Sequence, residues 1–330
     1  MQTTILVTGG AGYIGSHTCK RLALAGYKPI VFDNFSTGHR DFVRWGPLVE
    51  GDVRDASAVR RACEAHRVSA AIHFAAHALV GESVTDPAKY YSNNVVGTLG
   101  LLEGLRAANV DVLVFSSSCA VYGSPVTQLI GETTPLDPIN PYGVSKLVAE
   151  RAIADYGRAY GLRWAALRYF NACGADPDGD VGELHANETH LIPRAMMSLL
   201  GHLEQFQVFG ADYPTPDGTA IRDYIHVDDL AEAHMLALRR LGAGQESGVF
   251  NLGTGRGHSV KEVLKEIARV AGAEIPTIIG QRREGDPPVL VADPARARKQ
   301  LGFVASRSHI ETIVRTAWEW HKKAHARRRA

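Results

Sequence analysis

The sequence predicts an α/β chain: a doubly wound parallel sheet with a smaller, interleaved α+β lobe. Three observations carry that expectation. A short β-branched strand over residues 3–8 runs straight into Gly9-Gly10-Ala11-Gly12-Tyr13-Ile14-Gly15 and then into a helix-like stretch ending at Ala25. An acid, Asp33, closes the next apolar run, Pro29-Ile30-Val31-Phe32. Strand-like and amphipathic helix-like segments then alternate as far as Asn171. Parallel neighbours need long crossovers, usually helices, so this alternation marks βαβ units whose ligands sit beyond the carboxyl ends of the strands.

The glycine turn fits two registers, Gly10-x-Gly12-x-x-Gly15 and Gly9-x-x-Gly12-x-x-Gly15. In either one the bare backbone can approach a pyrophosphate, which then rests on the positive N-terminal end of the helix, so the pattern implies a dinucleotide (Rossmann) lobe. Asp33 stands where a carboxylate accepts hydrogen bonds from the adenosine ribose and repels a 2'-phosphate. NAD is therefore expected rather than NADP, although His39 and Arg40 are close enough in sequence to meet a phosphate. Further strands are expected near residues 48–51, 70–74, 112–116 and 164–169, with helices over 56–66, 90–107 and 142–160 between them. Beyond Asn171 the chain turns rich in Gly, Pro and Asp over residues 174–187, which reads as a loop. Residues 249–252 look like a strand rejoining the first sheet. The expected division is thus 1–171 with 225–255 as the NAD-binding lobe, and 172–224 with 256–330 as the second lobe. The basic end, residues 322–329, is expected to be solvated and frayed.

Composition narrows the function. Of 330 residues, 22% are charged and the net charge is only +1, so no bulk electrostatic case exists for nucleic acid or a membrane surface. The length suffices for two buried cores. Cys19, Cys63, Cys119 and Cys173 lack metal-ligand spacing, which suits a reducing cytoplasm, and no metal is expected. Neither a leader-like segment nor an apolar span of about twenty residues is present, and the first strand carries the glycine turn and so belongs to the mature chain.

The chemistry is suggested by Tyr142 and Lys146 in Pro-Tyr-Gly-Val-Ser-Lys. A spacing of i, i+4 places both on one helix face. A phenol titrates near ~10, too high for a base at neutral pH, but an adjacent ammonium and an oxidised nicotinamide both favour the phenolate. Lowering the phenol by about three units is worth roughly 4 kcal/mol, enough to make it a usable proton acceptor for a sugar hydroxyl.

In order along nearly the whole chain stand TGGAGYIGSH (residues 8–17), HFAAHALVGESV (73–84), YYSNNVVGTL (90–99) and FSSSCAVYG (115–123). They continue with PYGVSK, LRYFNACGADPDGDVGE from Leu167, DGTAIRDYIHVDDL from Asp217 and RREGDPP from Arg282. Together these blocks resemble the UDP-glucose 4-epimerases, a family of extended short-chain dehydrogenase/reductases. The resemblance implies NAD-dependent epimerisation at C4 of a UDP-sugar through a transient 4-keto intermediate, with Tyr142 as base, Lys146 on the nicotinamide ribose and Ser118 on the 4-oxygen. It implies cofactor contacts at Gly9, Gly12, Tyr13, Ile14, Asp33, Asn34, Asp52, Val53, Phe74, Ala75, Ala76, Asn94, Ser116, Tyr142, Lys146 and Tyr169. For the UDP-sugar it implies Ser118, Tyr142, Asn171, Leu191, Phe209, Arg222, Arg283, Asp286 and Leu290. A homodimer through two helices of the first lobe is also implied.

Two positions depart from the family pattern: Ala78 stands where many members have lysine, and His190 where many have asparagine. Dehydratase relatives place carboxylates just after the fifth strand to expel water, whereas here the chain reads Ser118-Cys119-Ala120. A net UDP-sugar oxidoreductase and a noncatalytic NAD-binding protein are the weaker alternatives. Leu290 replaces a bulky tyrosine common in strict glucose/galactose members, and together with Cys119 it resembles relatives using UDP-xylose and UDP-arabinose. Hexose, pentose and N-acetylhexosamine substrates all stay open.

Overall fold

The computed structural model describes residues 2–125, 127, 129–283 and 286–329. The first half alternates as expected: β1 (Thr4–Thr8), α1 (Tyr13–Leu24), β2 (Lys28–Asp33), β3 (Leu48–Glu50), α2 (Ala56–His66), β4 (Ala70–His73), α3 (Val80–Thr85), α4 (Pro87–Tyr90), α5 (Gly97–Ala107), β5 (Val112–Ser118), α6 (Pro141–Tyr160) and β6 (Arg163–Tyr169). The rest comprises β7 (Asn171–Cys173), α7 (Leu191–Leu199), β8 (Phe206–Phe209), β9 (Ile221–His226), α8 (Val227–Gly242), β10 (Gly248–Leu252), β11 (Gly257–Ser259), α9 (Val260–Ala271), β12 (Thr277–Gly280), β13 (Val289–Leu290), α10 (Ala295–Leu301) and α11 (Ile310–Arg329).

Seven parallel strands make the main sheet in the order β10-β6-β5-β4-β1-β2-β3. Its two faces follow from the strand period of two. Ile5, Val7, Val112 and Val114 enter one core with Leu22, Leu230 and Phe250, while Leu6, Leu113 and Phe115 enter the other with Val59, Leu101 and Ile153. Strand order reverses between β1 and β4, and the crevice at their carboxyl ends is where such sheets bind ligands. A smaller sheet, β11-β9-β13 with β7 on β9, and the pair β12-β8 form the second lobe around Met196, Tyr224, Ile267 and Ile313.

The return of the chain is as the sequence suggested: β10 lies in register beside β6, and α8 covers the sheet with α1. Three details differ. The helix expected over residues 90–107 is interrupted by a π-turn, Tyr91–Val96, which rotates Asn94 inward. There its amide joins the backbone of His77 and the Ser145 hydroxyl. α10 also leaves the second lobe, since Ala297, Leu301 and Phe303 pack into the first core. The C-terminal run is no frayed tail but helix through Arg329. Trp320 anchors it by donating from Nε1 to the Glu183 carbonyl at 2.9 Å, and Lys323 donates to the Gly179 carbonyl at 2.6 Å.

Candidate active site

Tyr142 owes its place to the start of α6. Asn140 caps that helix, its side chain accepting from the Gly143 N–H at 2.9 Å, and Pro141 opens the first turn. Tyr142 thus sits at the positive end of the helix, where a phenolate gains about 0.3–1 kcal/mol. Ser118, the last residue of β5, accepts from the Ala120 N–H at 3.2 Å and is close enough to the Tyr142 phenol to favour its ionised form. Lys146 lies one turn on, its ammonium 5.9 Å from the Tyr142 ring centroid and 2.8 Å from the Ser116 carbonyl that it donates to. The Ser116 hydroxyl meets the Tyr169 hydroxyl.

Burial works against the charged form of both groups. Burial pushes Tyr142 up to about 12, opposed by Ser118, and burial pushes Lys146 down to about 7 with only Glu150 acting against it. Both shifts disfavour the charged forms, so the charges that face Lys146 decide how well it supports the phenolate.

The glycine turn fits a dinucleotide on its own geometry. Gly9 has φ +72°, and a Cβ at Gly15 would stand 2.2 Å from the Gly9 carbonyl oxygen, so both are dictated by the turn itself. At Gly12 a Cβ would meet only the Gly9 oxygen, at 3.3 Å. Nothing in the chain itself crowds that position strongly, which suits a ligand approaching the backbone. α1 also carries no side-chain cap and no acid in its first turn, leaving its N–H groups to an anion.

Asp33 ends β2 with its carboxylate accepting from the backbone of Ala11 (3.0 Å) and Phe35 (2.9 Å), which ties the glycine turn to the end of β2. The two nearby side chains that could meet a phosphate are engaged elsewhere: His39 hydrogen-bonds the Leu184 carbonyl and Arg40 pairs with Glu50. We expect Asp33→Asn to weaken retention of NAD and narrow its preference over NADP, read as the dinucleotide that copurifies and the ratio of the two dissociation constants. Equal retention of both by the unaltered protein would overturn the assignment.

Of the other expected cofactor contacts, Asn34 donates to Asp52 at 3.1 Å, and Asp52 is held below the usual carboxylate range, at about 2, chiefly by Arg54. Tyr13 and Ile14 open α1, and Tyr13 donates to the Gly174 carbonyl, bringing the two lobes together. Phe74 stacks beside His234 at 4.6 Å, with Ala75 and Ala76 next along the crevice. The Val53 side chain is core, packed close to Gly97, so only its backbone is free to meet a ligand.

Across the crevice, Arg222 of β9 pairs with Asp286 and is in register with Leu290 of β13. Arg283 lies over the Phe209 ring at 4.1 Å. Its guanidinium is destabilised by burial and by Arg194 and Arg222, so three guanidinium groups gather there against Asp286. Glu284 and Gly285 of the RREGDPP block lie outside the described residues. Arg194, in the first turn of α7 that Leu191 opens, was missed from the sequence. Its signal was the i+3 spacing from Leu191. Asn171 donates to the Asp223 carbonyl at 3.0 Å, which seats β7 on β9. Leu290 is half-buried and packs with Cys119, Val121, Phe170 and Ala292.

Two clusters look like metal donors but already hold a cation of the chain. Asp176, Asp178 and Asp180 surround the Lys20 ammonium at 2.8, 2.8 and 3.0 Å. His190 turns Nδ1 on Glu183 (2.9 Å) and Glu188 (2.8 Å), beside His185. Loss of water around that ring opposes its charge, yet the two carboxylates raise it to about 10. This departure from the family pattern places a histidine with two carboxylate partners, which favour its charged form, at the N-cap of α7.

Such a crevice, with an anion-ready helix end on one side and a Ser–Tyr–Lys set on the other, belongs to enzymes that move hydride between a nicotinamide dinucleotide and an alcohol carbon. Residues 5–253 match the model of the NAD dependent epimerase/dehydratase family, and the chain belongs to that family. It is 52% identical to a UDP-glucose 4-epimerase of Rhizobium leguminosarum bv. trifolii over 97% of this chain and 98% of the relative. The structure of a UDP-glucose 4-epimerase from Brucella ovis in complex with NAD superposes with a TM-score of 0.94 at 55% identity, covering 96% of this chain and 98% of that one. A UDP-glucose-4-epimerase from Stenotrophomonas maltophila with bound NAD and formylated UDP-arabinopyranose superposes with a TM-score of 0.96 at 39% identity, over 100% of both chains.

Proposed function

We propose that this chain interconverts UDP-glucose and UDP-galactose by NAD-dependent inversion at C4. The observation that carries this reading is Tyr142 beside the end of β5 that bears Ser118, with the Lys146 ammonium 5.9 Å from its ring and bonded to the Ser116 carbonyl. Bound NAD supplies a reversible hydride acceptor. Tyr142 takes the proton of the sugar 4-hydroxyl and later returns it, while Ser118 donates to the oxygen that changes charge. The Arg194–Arg222–Arg283 cluster holds the diphosphate, with Phe209 beside the base. Nucleotide binding is thereby tight and sugar binding loose, which lets a 4-keto sugar present its other face without leaving. No carboxylate follows Ser118 in the chain, so elimination lacks an acid and a base.

In this reading the two lobes are 1–171 with 225–255, and 172–224 with 256–330, the segment around α10 being shared with the first. No described helix is long and apolar enough to cross a membrane. Four free cysteines accompany a cytoplasmic placement. Exposed Val96 and Leu99 by α5 and Val148 on α6 support a homodimer through those helices.

The test is to incubate the purified protein, without added cofactor, with UDP-galactose, UDP-N-acetylgalactosamine and UDP-arabinose in parallel. Inversion of UDP-galactose with no net NADH is expected. Net NADH production, or no conversion of any of the three, would sink the reading. A wider sugar range is favoured by Leu290, which packs against the same hydrophobic cluster as Cys119, the residue after Ser118. Leu290→Tyr should lower kcat/KM for the N-acetyl sugar by roughly ten- to a hundredfold more than for UDP-galactose, because overpacking costs about 1–3 kcal/mol. If both substrates fall together with a lowered thermal midpoint, Leu290 is packing only.

A further inference from the structure

Behind the Tyr142–Lys146 pair lies a buried ion network that the crevice residues do not include. Glu150 follows Lys146 by four residues, so carboxylate and ammonium share a face of α6. Both are nearly inaccessible, at 5% and 3%. One Glu150 oxygen accepts from the Ser117 hydroxyl and from Arg168 Nε at 2.9 Å, and the other from Arg168 Nη2 at 2.5 Å. Arg168 Nη1 in turn donates to the Tyr122 hydroxyl at 2.9 Å, and that hydroxyl donates to Asn251 Oδ1 at 2.7 Å. Ser117 and Arg168 face each other in the register of β5 and β6.

A buried ion pair is weak evidence for stability, since apolar groups of similar volume often do as well or better. The charge of Glu150 is explained better by what it faces. From β5, Lys146 meets the Phe115 ring at 5.0 Å and the Ser116 carbonyl. From β4 comes His73, which burial and Lys146 itself keep neutral, at about 3. β6 contributes the neutral Tyr169, bonded to Ser116, and the cation Arg168, which is spent on Glu150 and Tyr122. On α6 itself stand Tyr142 and Glu150. Among the described residues Glu150 is the anion that acts on Lys146.

We propose that Glu150 is a positioning residue for this site: its carboxylate keeps Lys146 an ammonium while Tyr142 works, and its grip on Ser117 holds the strand end that presents the Ser116 carbonyl and the Ser118 hydroxyl. The proposal rests on the reading of Tyr142 as the base and Lys146 as its cation. It works from the side of the sheet network, without touching substrate.

The test is the titration of Lys146 in the full-length protein labelled with [ε-13C]lysine, its resonance identified by its loss in Lys146→Met. Glu150→Gln should lower the midpoint by about one unit or more and move the rising limb of the pH–rate profile to higher pH, whereas Glu150→Asp should restore most of both. An unchanged midpoint in folded Glu150→Gln protein overturns the proposal, as does lost activity with an unmoved limb. Should Glu150→Gln fail to fold, Glu150→Gln with Arg168→Met removes both buried charges together and carries the same expectation. Failure of the epimerase reading would show as no conversion of UDP-sugar by the unaltered protein, and would leave the lysine titration as an independent result.

Discussion

Tyr142→Phe is expected to lower kcat by roughly 10²–10⁴-fold while the protein keeps its NAD, because it removes the proton acceptor and leaves the ring. Tyr142 is 9% exposed, and its ring stands 6.4 Å from that of Tyr90, edge to face. Phenylalanine keeps that packing, so the thermal midpoint should move little. The measurement is kcat on UDP-galactose, with bound dinucleotide and thermal midpoint as controls. Near-normal turnover would remove Tyr142 from the chemistry, and loss of NAD together with activity would make it a structural residue.

Lys146→Met is expected to be nearly as damaging and to change the pH profile. The ammonium is 5.9 Å from the ring centroid, and a charge pair about 6 Å apart at an effective dielectric of about 20 favours the phenolate by about 3 kcal/mol, or roughly two pKa units. The active form is the phenolate, so activity rises as pH climbs through the phenol pKa. Removing the cation raises that pKa, and the rising limb moves to higher pH by about two units. At neutral pH this costs on the order of a hundredfold. A residually active variant whose limb stays in place would contradict the role. The position of Lys146 makes the outcome sensitive, because burial, opposed by Glu150, takes it down to about 7.

The glycine turn, Asp33 and the strand–helix alternation were legible in the sequence because they are local. A turn needs glycine at particular offsets, a half-buried strand alternates with period two, and i+4 spacing pairs Tyr142 with Lys146. The return of residues 249–252 to the first sheet was also legible, as a strand-like run, and β10 occupies that place beside β6. The π-turn at Tyr91–Val96 was not, since the helical pattern runs through it and only the fit of Asn94 against His77 and Ser145 selects the wider turn. The helical C-terminus was hidden by its basic composition, because what orders it is the Trp320 and Lys323 contacts with residues 179–183.

By itself, then, the sequence determined the βαβ lobe, the NAD-type acid and the order of Ser118, Tyr142 and Lys146. Only the tertiary structure decided which charges those groups feel. Glu150 and Arg168 lie on different elements, as do Arg194, Arg222 and Arg283, and nothing in local spacing brings either set together. Burial pushes Tyr142 up and Lys146 down, since loss of water penalises the charged form of each group by an amount no spacing rule contains. Convergence of distant segments and desolvation are both non-local, and they set the chemistry of a site whose residues a local pattern names.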